Sequence, residues 1–173
     1  KKILRRTEEI GSYIWTDKQP VTDVGIAETT EHLSLRQAEA LPYRPARAGQ
    51  AWGKPWSTAW FRLSIRVPRQ MRGQAVGFLF EPGGESLVFV NGQPLQSLGE
   101  TRKECLLLER ARGGEQLTVY VESGANSTFG NFKQPVYQPP ILAAFNSEVW
   151  TAYWDLKALA DMVDTRTVPL QFH

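Results

Sequence analysis

The segment GGESLVFVNGQPLQSL, residues 83–98, is the strongest indication of a β fold because it contains a complete β-hairpin. The apolar run at 86–90 predicts a strand, and Asn91-Gly92 supplies the two positive φ angles that a tight hairpin turn requires. Pro94 lies in the returning strand, where proline has no N–H to give to a ladder, which favours a sheet edge. The segment therefore predicts an antiparallel hairpin that ends at an edge.

Further strands are predicted on both sides of this hairpin. In WFRLSIRVP, residues 60–68, apolar side chains alternate with polar ones and with Trp60, which predicts a strand with one face in water. Other apolar runs lie at 75–80, 105–109 and 117–122, separated by Gly, Pro and Asn turns. Strands that recur roughly every ten to fifteen residues between such turns are typical of a β-sandwich or barrel.

The regions on either side of residues 51–145, the predicted sandwich, differ in pattern. Residues 1–50 are predicted to begin with a short helix, because Ile3 and Ile10 recur at helical spacing. Three prolines are spread along the rest of this region and disfavour regular helix there. We therefore predict an extended lead that packs on the sandwich surface.

Residues 146–173 are predicted to form a helix that leads towards a domain absent from this chain. Apolar residues recur at helical spacing along 149–163, and Asn146 or Ser147 can cap the start. The helix also carries more aromatic side chains than it needs to sit on its own sandwich. We expect these aromatic residues to pack against another domain: Trp150, Tyr153 and Trp154.

Composition excludes several function classes. Twenty basic and eighteen acidic side chains give a net charge of +2, and the basic residues form no stripe of the kind that binds nucleic acid. No apolar run reaches the roughly eighteen residues that a membrane span needs. One cysteine, Cys105, rules out an internal disulfide and fits a reducing, cytoplasmic location.

The sequence offers few groups for catalysis. Two histidines, His32 and His173, lie far apart in the chain, so neither a zinc site nor a nucleophilic triad is indicated. Glutamates beside the strands could form a glycosidase pair, but glutamate next to a Gly-rich turn is usually solvated. Trp52, Trp56 and Trp60 fit either a core or a sugar platform, and the strand that begins at Trp60 favours the core.

Three blocks together carry a family resemblance: WGKPWSTAWFRLSIRVP at 52–68, the hairpin at 83–98, and LTVYVESGANSTFG at 117–130. They resemble the N-terminal domain of family 38 glycoside hydrolases, the class II α-mannosidases, in the cytosolic, vacuolar and bacterial branch. The resemblance covers about residues 40–163. Ser97 stands where the family usually has Gly, and a positive φ there would cost serine about 1 kcal/mol.

The resemblance implies a mainly β fold, a jelly-roll β-sandwich of the galactose-binding-like kind with a short N-terminal helix and a C-terminal helix. It implies a parent enzyme that is a retaining exo-α-mannosidase, with a zinc ion held by paired His and Asp residues. That zinc motif begins the family's catalytic domain and is not in this sequence, so no cofactor is expected in this chain. The implied partners are the catalytic domain of the same polypeptide, further copies in a homo-oligomer and, for the parent, a mannose-containing glycan.

Two functions follow for the chain itself. The first is a non-catalytic domain that serves interdomain packing or oligomerisation. The second is a carbohydrate-binding module, because galactose-binding-like jelly rolls often bind glycans at loops on one end. The loop-adjacent candidates for sugar binding are Trp52, Trp56, Arg102 and Phe129.

Overall fold

A computed structural model describes residues 2–126 and 131–165 of the chain. Within these residues lie three α-helices, which are α1 (Lys2–Gly11), α2 (Leu35–Glu39) and α3 (Ser147–Thr165). The same residues form ten strands, which are β1 (Trp15–Pro20), β2 (Val24–Thr29), β3 (Arg44–Pro45), β4 (Ser57–Arg66), β5 (Ala75–Leu79), β6 (Ser86–Val90), β7 (Gln93–Leu98), β8 (Glu104–Leu108), β9 (Gln116–Ala125) and β10 (Ile141–Phe145).

The strands form two antiparallel sheets. One has the order β1-β10-β5-β8, and the other has the order β3-β2-β4-β9-β6-β7. The apolar inner faces of the two sheets enclose the core, as in a sandwich. The predicted mainly β sandwich is confirmed, together with its terminal helices.

The hairpin predicted at residues 83–98 is present. Asn91 and Gly92 have φ angles of 52° and 77° and join β6 to β7. β7 lies at the edge of the six-stranded sheet, and the register shifts between Val88 and Phe89, opposite Pro94. Ser97 pairs with Leu87 inside β7 and is not among the non-glycine residues with positive φ. Serine therefore brings no backbone strain at this position.

β4 connects the alternating pattern of the sequence to the core. Its inward side chains, Phe61, Leu63 and Ile65, are buried, whereas Arg62 and Ser64 point to the exposed outer face. Rings pack around Phe61 from three directions, which places it at the centre of the core. Burial of these side chains stabilises the fold by about 25 cal/mol per Å² of apolar surface removed from water.

The predicted lead lies within the sheets rather than on them. β2 pairs with β4 along its whole length, and Ile26 is fully buried between the sheets. β1 forms the edge of the four-stranded sheet beside β10. Residues 16–50 therefore contribute strands, because pairing with β4 and β10 satisfies backbone groups that an extended surface lead would leave to water.

The outer face of the six-stranded sheet is partly covered by the chain between β2 and β3. Tyr43 packs so close to Gly25 that a Cβ there would lie 2.9 Å from the Tyr43 Cβ, and the Arg62 guanidinium lies 4.8 Å from the Tyr43 ring centre. On the same face Trp60 is fully buried, with its ring 5.6 Å from that of Phe89. The alternation of β4 places Trp60 on the face predicted to lie in water, but its burial agrees with the core interpretation of this tryptophan, because the second layer covers that part of the face.

Candidate functional site

A tight turn before β4 presents Trp56 to solvent. Trp56 is 70% exposed and has a φ of 67°, in the left-handed region that non-glycine residues rarely adopt. Its backbone N–H donates to the carbonyl of Ala125 at 2.9 Å. The Ser57 hydroxyl accepts from the Lys54 N–H at 2.7 Å and donates to the Lys54 carbonyl at 2.8 Å. These hydrogen bonds hold the turn in its unusual conformation.

Hydrogen bonds and close contacts also fix the backbone of Trp52 and Gly53, which precede Trp56. Gly53 has a φ of 72°, and a Cβ there would lie 2.7 Å from the Ala125 side chain. Its N–H donates to the Glu28 carboxylate at 2.7 Å, and the same carboxylate accepts from the Arg44 guanidinium at 2.5 Å. The Gln134 amide donates to the carbonyls of Trp52 and Gly53. These contacts fix the conformation of the turn that carries the exposed Trp56 ring.

Of the four residues that the sequence assigned to sugar binding, the structure describes three and places them in different surroundings. Trp52 is 2% exposed, and its indole N–H donates to the Pro82 carbonyl at 2.7 Å. We correct its assignment: a ring enclosed by the core has no face to offer a sugar. Arg102 is exposed in the turn after β7, three strands from β4 in the sheet, or roughly 14 Å. Phe129 lies outside the described residues.

A second exposed aromatic surface lies on the helices. α3 packs against α1, where a Cβ on Gly11 would lie 2.9 Å from the Tyr153 ring. Tyr153 also meets Trp154 edge to face, with ring centres 5.2 Å apart, and Trp154 meets Trp150 at 6.2 Å. Trp150 and Trp154 remain 43% and 45% exposed. α1 thus covers part of the α3 aromatic face and leaves both indole rings accessible.

These two surfaces lie at opposite ends of the sandwich. Trp56 directly precedes the first residue of β4, whereas the end of β10, which leads into α3, pairs with Ala75 at the start of β5. β5 begins beyond the far end of β4, after a short 3-10 turn at Arg69–Met71. Ten residues of extended chain span about 33 Å, so roughly the length of β4 separates the two surfaces.

An open groove of about 550 Å³ lies beside the connection between β1 and β2. Its floor includes Ile65 and Leu142, and its rim carries Asp23 and Arg66, with further amide and hydroxyl side chains. The sequence did not predict this groove, because its residues come from β1, β4, β9 and β10 and meet only in the sandwich.

Burial perturbs one carboxylate on the outer face of the six-stranded sheet. Glu122 pairs across the strands with Trp60, whose buried indole N–H has no hydrogen-bond partner among the described residues. Burial raises the pKa of the Glu122 carboxyl, and the charge of His32 opposes part of that rise. The ionised carboxylate is therefore held in a less favourable environment than water.

We expect Glu122→Gln to stabilise the fold at neutral pH. Because folding raises the pKa of Glu122, the folded state disfavours the ionised carboxylate. The stability of the wild-type protein therefore falls as the pH rises from the ordinary pKa of 4.5 through the raised pKa of the folded state. The glutamine variant should have the higher unfolding midpoint at pH 7, and the difference should disappear below about pH 4. The same change at exposed Glu109 is the control: it removes no buried charge and should leave the midpoint at pH 7 unchanged. Equal midpoints at pH 7 would contradict this prediction.

The described residues provide neither a metal site nor a helix that could span a membrane. No group of three or more His, Cys, Asp or Glu side chains in residues 2–126 and 131–165 could hold a metal ion. Within the same part of the chain, no helix has both the length and the apolar character needed to cross a bilayer.

Comparison with known proteins identifies the domain. α-Mannosidase 2C1 of Homo sapiens is 31% identical over 155 residues, which cover 81% of this chain and 15% of that protein. α-Mannosidase G of Dictyostelium discoideum is 28% identical over 134 residues, which cover 75% of this chain and 12% of that protein. The chain thus spans about an eighth to a seventh of the length of these relatives.

Solved structures share the fold at low sequence identity. The crystal structure of Ruminococcus gnavus β-glucuronidase matches 75% of this chain and 29% of its own, with a TM-score of 0.56 and 13% identity. At that identity the similarity concerns the fold alone. The family model of the α-mannosidase jelly-roll domain matches residues 19–163, a range that runs from β1 into α3. The chain belongs to the family of α-mannosidase jelly-roll domains.

Proposed function

We propose that this chain is a non-catalytic N-terminal domain of a retaining exo-α-mannosidase, and that the α1–α3 aromatic face docks on the catalytic part of the same polypeptide. In this proposal the catalytic part hydrolyses terminal α-mannosyl residues and holds the zinc ion that the resemblance implies. The described residues do not fit a zinc site, since they hold no cluster of three ligating side chains. We also propose a cytoplasmic location.

One observation carries the docking proposal: Trp150 and Trp154 are exposed on the helix that follows the last strand. Tyr13, at the end of α1, is 64% exposed and adds another aromatic ring near these helices. Tryptophan and tyrosine rings are the usual anchors of buried interfaces. The family relatives extend far beyond this domain, so most of each relative lies outside the matched region.

Oxidative footprinting of tryptophan tests the docking surface. We expect Trp150 and Trp154 to react with a radical probe in the 173-residue chain and to be protected in the full-length enzyme. Protection only at high protein concentration, with a matching rise in mass, would indicate instead a contact between two copies. Equal reaction in both proteins would overturn the docking proposal.

A paired variant adds an energetic readout. In the full-length enzyme, Trp150→Ser with Trp154→Ser should lower the unfolding midpoint of this domain towards that of the isolated chain. Leu95→Ser, at an exposed apolar position on β7, is the matched control and should leave the midpoint unchanged. In a parallel assay the full-length enzyme should hydrolyse an aryl α-mannoside and the isolated chain should not. Hydrolysis by the isolated chain would refute the non-catalytic assignment.

A further inference from the structure

The Trp56 turn combines two features that packing alone does not explain. The backbone adopts a left-handed conformation, which is strained for a residue that has a Cβ atom. The side chain, 70% exposed, recovers little of that cost through burial. Glycine or asparagine would fit the same φ more easily. Strain of this kind, held in place by surrounding hydrogen bonds, is characteristic of ligand-binding positions.

The surroundings of Trp56 distinguish it from the α1–α3 face. On that face several exposed aromatic rings lie together, as in a protein interface. Among the described residues of the Trp56 turn, the exposed neighbours of the ring in the chain are Lys54 and Pro55, and the Glu28–Arg44 ion pair lies beside Gly53. A single flat apolar surface with a polar border suits a ligand that has one apolar face and many hydroxyls. A pyranose ring has that chemistry.

The position of the turn also separates it from the docking surface. Trp56 lies at the end of the sandwich away from α3, about 33 Å along β4. A partner domain that covers the α1–α3 face need not cover Trp56. The turn can therefore stay open to a soluble ligand in the full-length enzyme.

We propose that the Trp56 turn binds a hexopyranose residue of a glycan, with the indole ring stacked on the apolar face of the sugar. Lys54 and the outer edge of the Glu28–Arg44 pair are placed to meet the sugar hydroxyls. The identity of the sugar as mannose rests on the proposed function, because the parent enzyme's substrate would carry terminal mannosyl residues. The turn then holds a glycan branch at a site remote from the docking surface.

Nuclear magnetic resonance of the indole N–H groups tests this proposal directly. Titration of the 173-residue chain with α-mannobiose should shift the Trp56 signal at millimolar sugar and leave the Trp52 and Trp154 signals in place. Trp56→Gly should weaken binding at least about tenfold. Trp154→Ala, the same loss of an exposed ring at the other end of the molecule, should bind the sugar like wild type.

The glycine variant also separates binding from folding. Because glycine adopts a φ of 67° without strain, Trp56→Gly should keep the wild-type unfolding midpoint or exceed it while binding is lost. Unchanged signals at millimolar sugar, or undiminished binding by Trp56→Gly, would overturn the sugar site. Protection of Trp56 in the footprint of the full-length enzyme would overturn it as well. None of these results affects the docking proposal, which depends on Trp150 and Trp154.

Discussion

Replacement of Phe61 by alanine is expected to lower the free energy of unfolding by about 3–5 kcal/mol. Phe61 is fully buried at the centre of β4. Its ring centre lies 5.6 Å from that of Trp52, 5.3 Å from that of Phe80 and 5.7 Å from that of Tyr137. Removal of the ring leaves a cavity that three rings from separate segments cannot collapse to fill. This loss is a large fraction of the roughly 5–15 kcal/mol by which folded domains are stable.

Chemical denaturation of the 173-residue chain measures this loss. Phe61→Leu keeps most of the apolar volume and should lose far less stability than the alanine variant. Val136→Ala, at an exposed position, should change the free energy of unfolding by no more than about 0.5 kcal/mol. A loss below about 1.5 kcal/mol for Phe61→Ala would show that the two sheets do not enclose this ring as described.

Gly84→Ala is expected to destabilise the fold by about 3 kcal/mol or more, through steric overlap. A Cβ at Gly84 would lie 2.1 Å from the carbonyl oxygen of Gly124, which is a backbone atom and cannot rotate away. The loop before β6 is also tied to β9 here. The Gly124 N–H donates to the Glu85 carbonyl at 3.0 Å, and the Ser86 and Ser123 hydroxyls lie 2.9 Å apart. The added methyl would force β6 and β9 apart at this end.

Gly92→Ala is the matched control. Gly92 has a φ of 77°, and no atom in the described part of the chain lies within 4 Å of its Cβ position, so alanine there carries only backbone strain of about 1 kcal/mol. Thermal or denaturant unfolding should therefore rank Gly84→Ala well below Gly92→Ala in stability. The reverse order would mean that conformational freedom, rather than close approach of the two strands, accounts for the glycine at 84.

The strands β4 to β9 could be predicted from the sequence because each carries its own local signal. Period-two alternation marks β4, and an Asn-Gly turn marks the joint between β6 and β7. β2 and β10 lack such a signal. β2 is buried at four consecutive residues, and β10 contains two alanines that follow Pro139-Pro140 and run directly into α3. These segments become strands because β4, β5 and β1 offer them unpaired backbone partners.

The tryptophans also show a difference that depends on distant parts of the chain and has no local sequence signal. Trp52 and Trp56 lie four positions apart in one motif, yet one is buried and the other is exposed. The positive φ angles at Gly53 and Trp56 turn the chain between them, and those angles depend on hydrogen bonds to Glu28, Ala125 and Gln134 from distant segments. No local pattern could have distinguished the two rings.

Local sequence patterns were enough to predict the β class, the central hairpin, the terminal helices and the resemblance to α-mannosidase domains. Each of these depends on periodicity, turn chemistry or motif within a short stretch of chain. Tertiary structure alone decided that residues 16–50 enter the sheets, that α1 covers part of the α3 aromatic face, and that Trp56 is presented at the opposite end. The physical reason is that strand pairing, side-chain burial and a strained φ are fixed by partners far away in the chain.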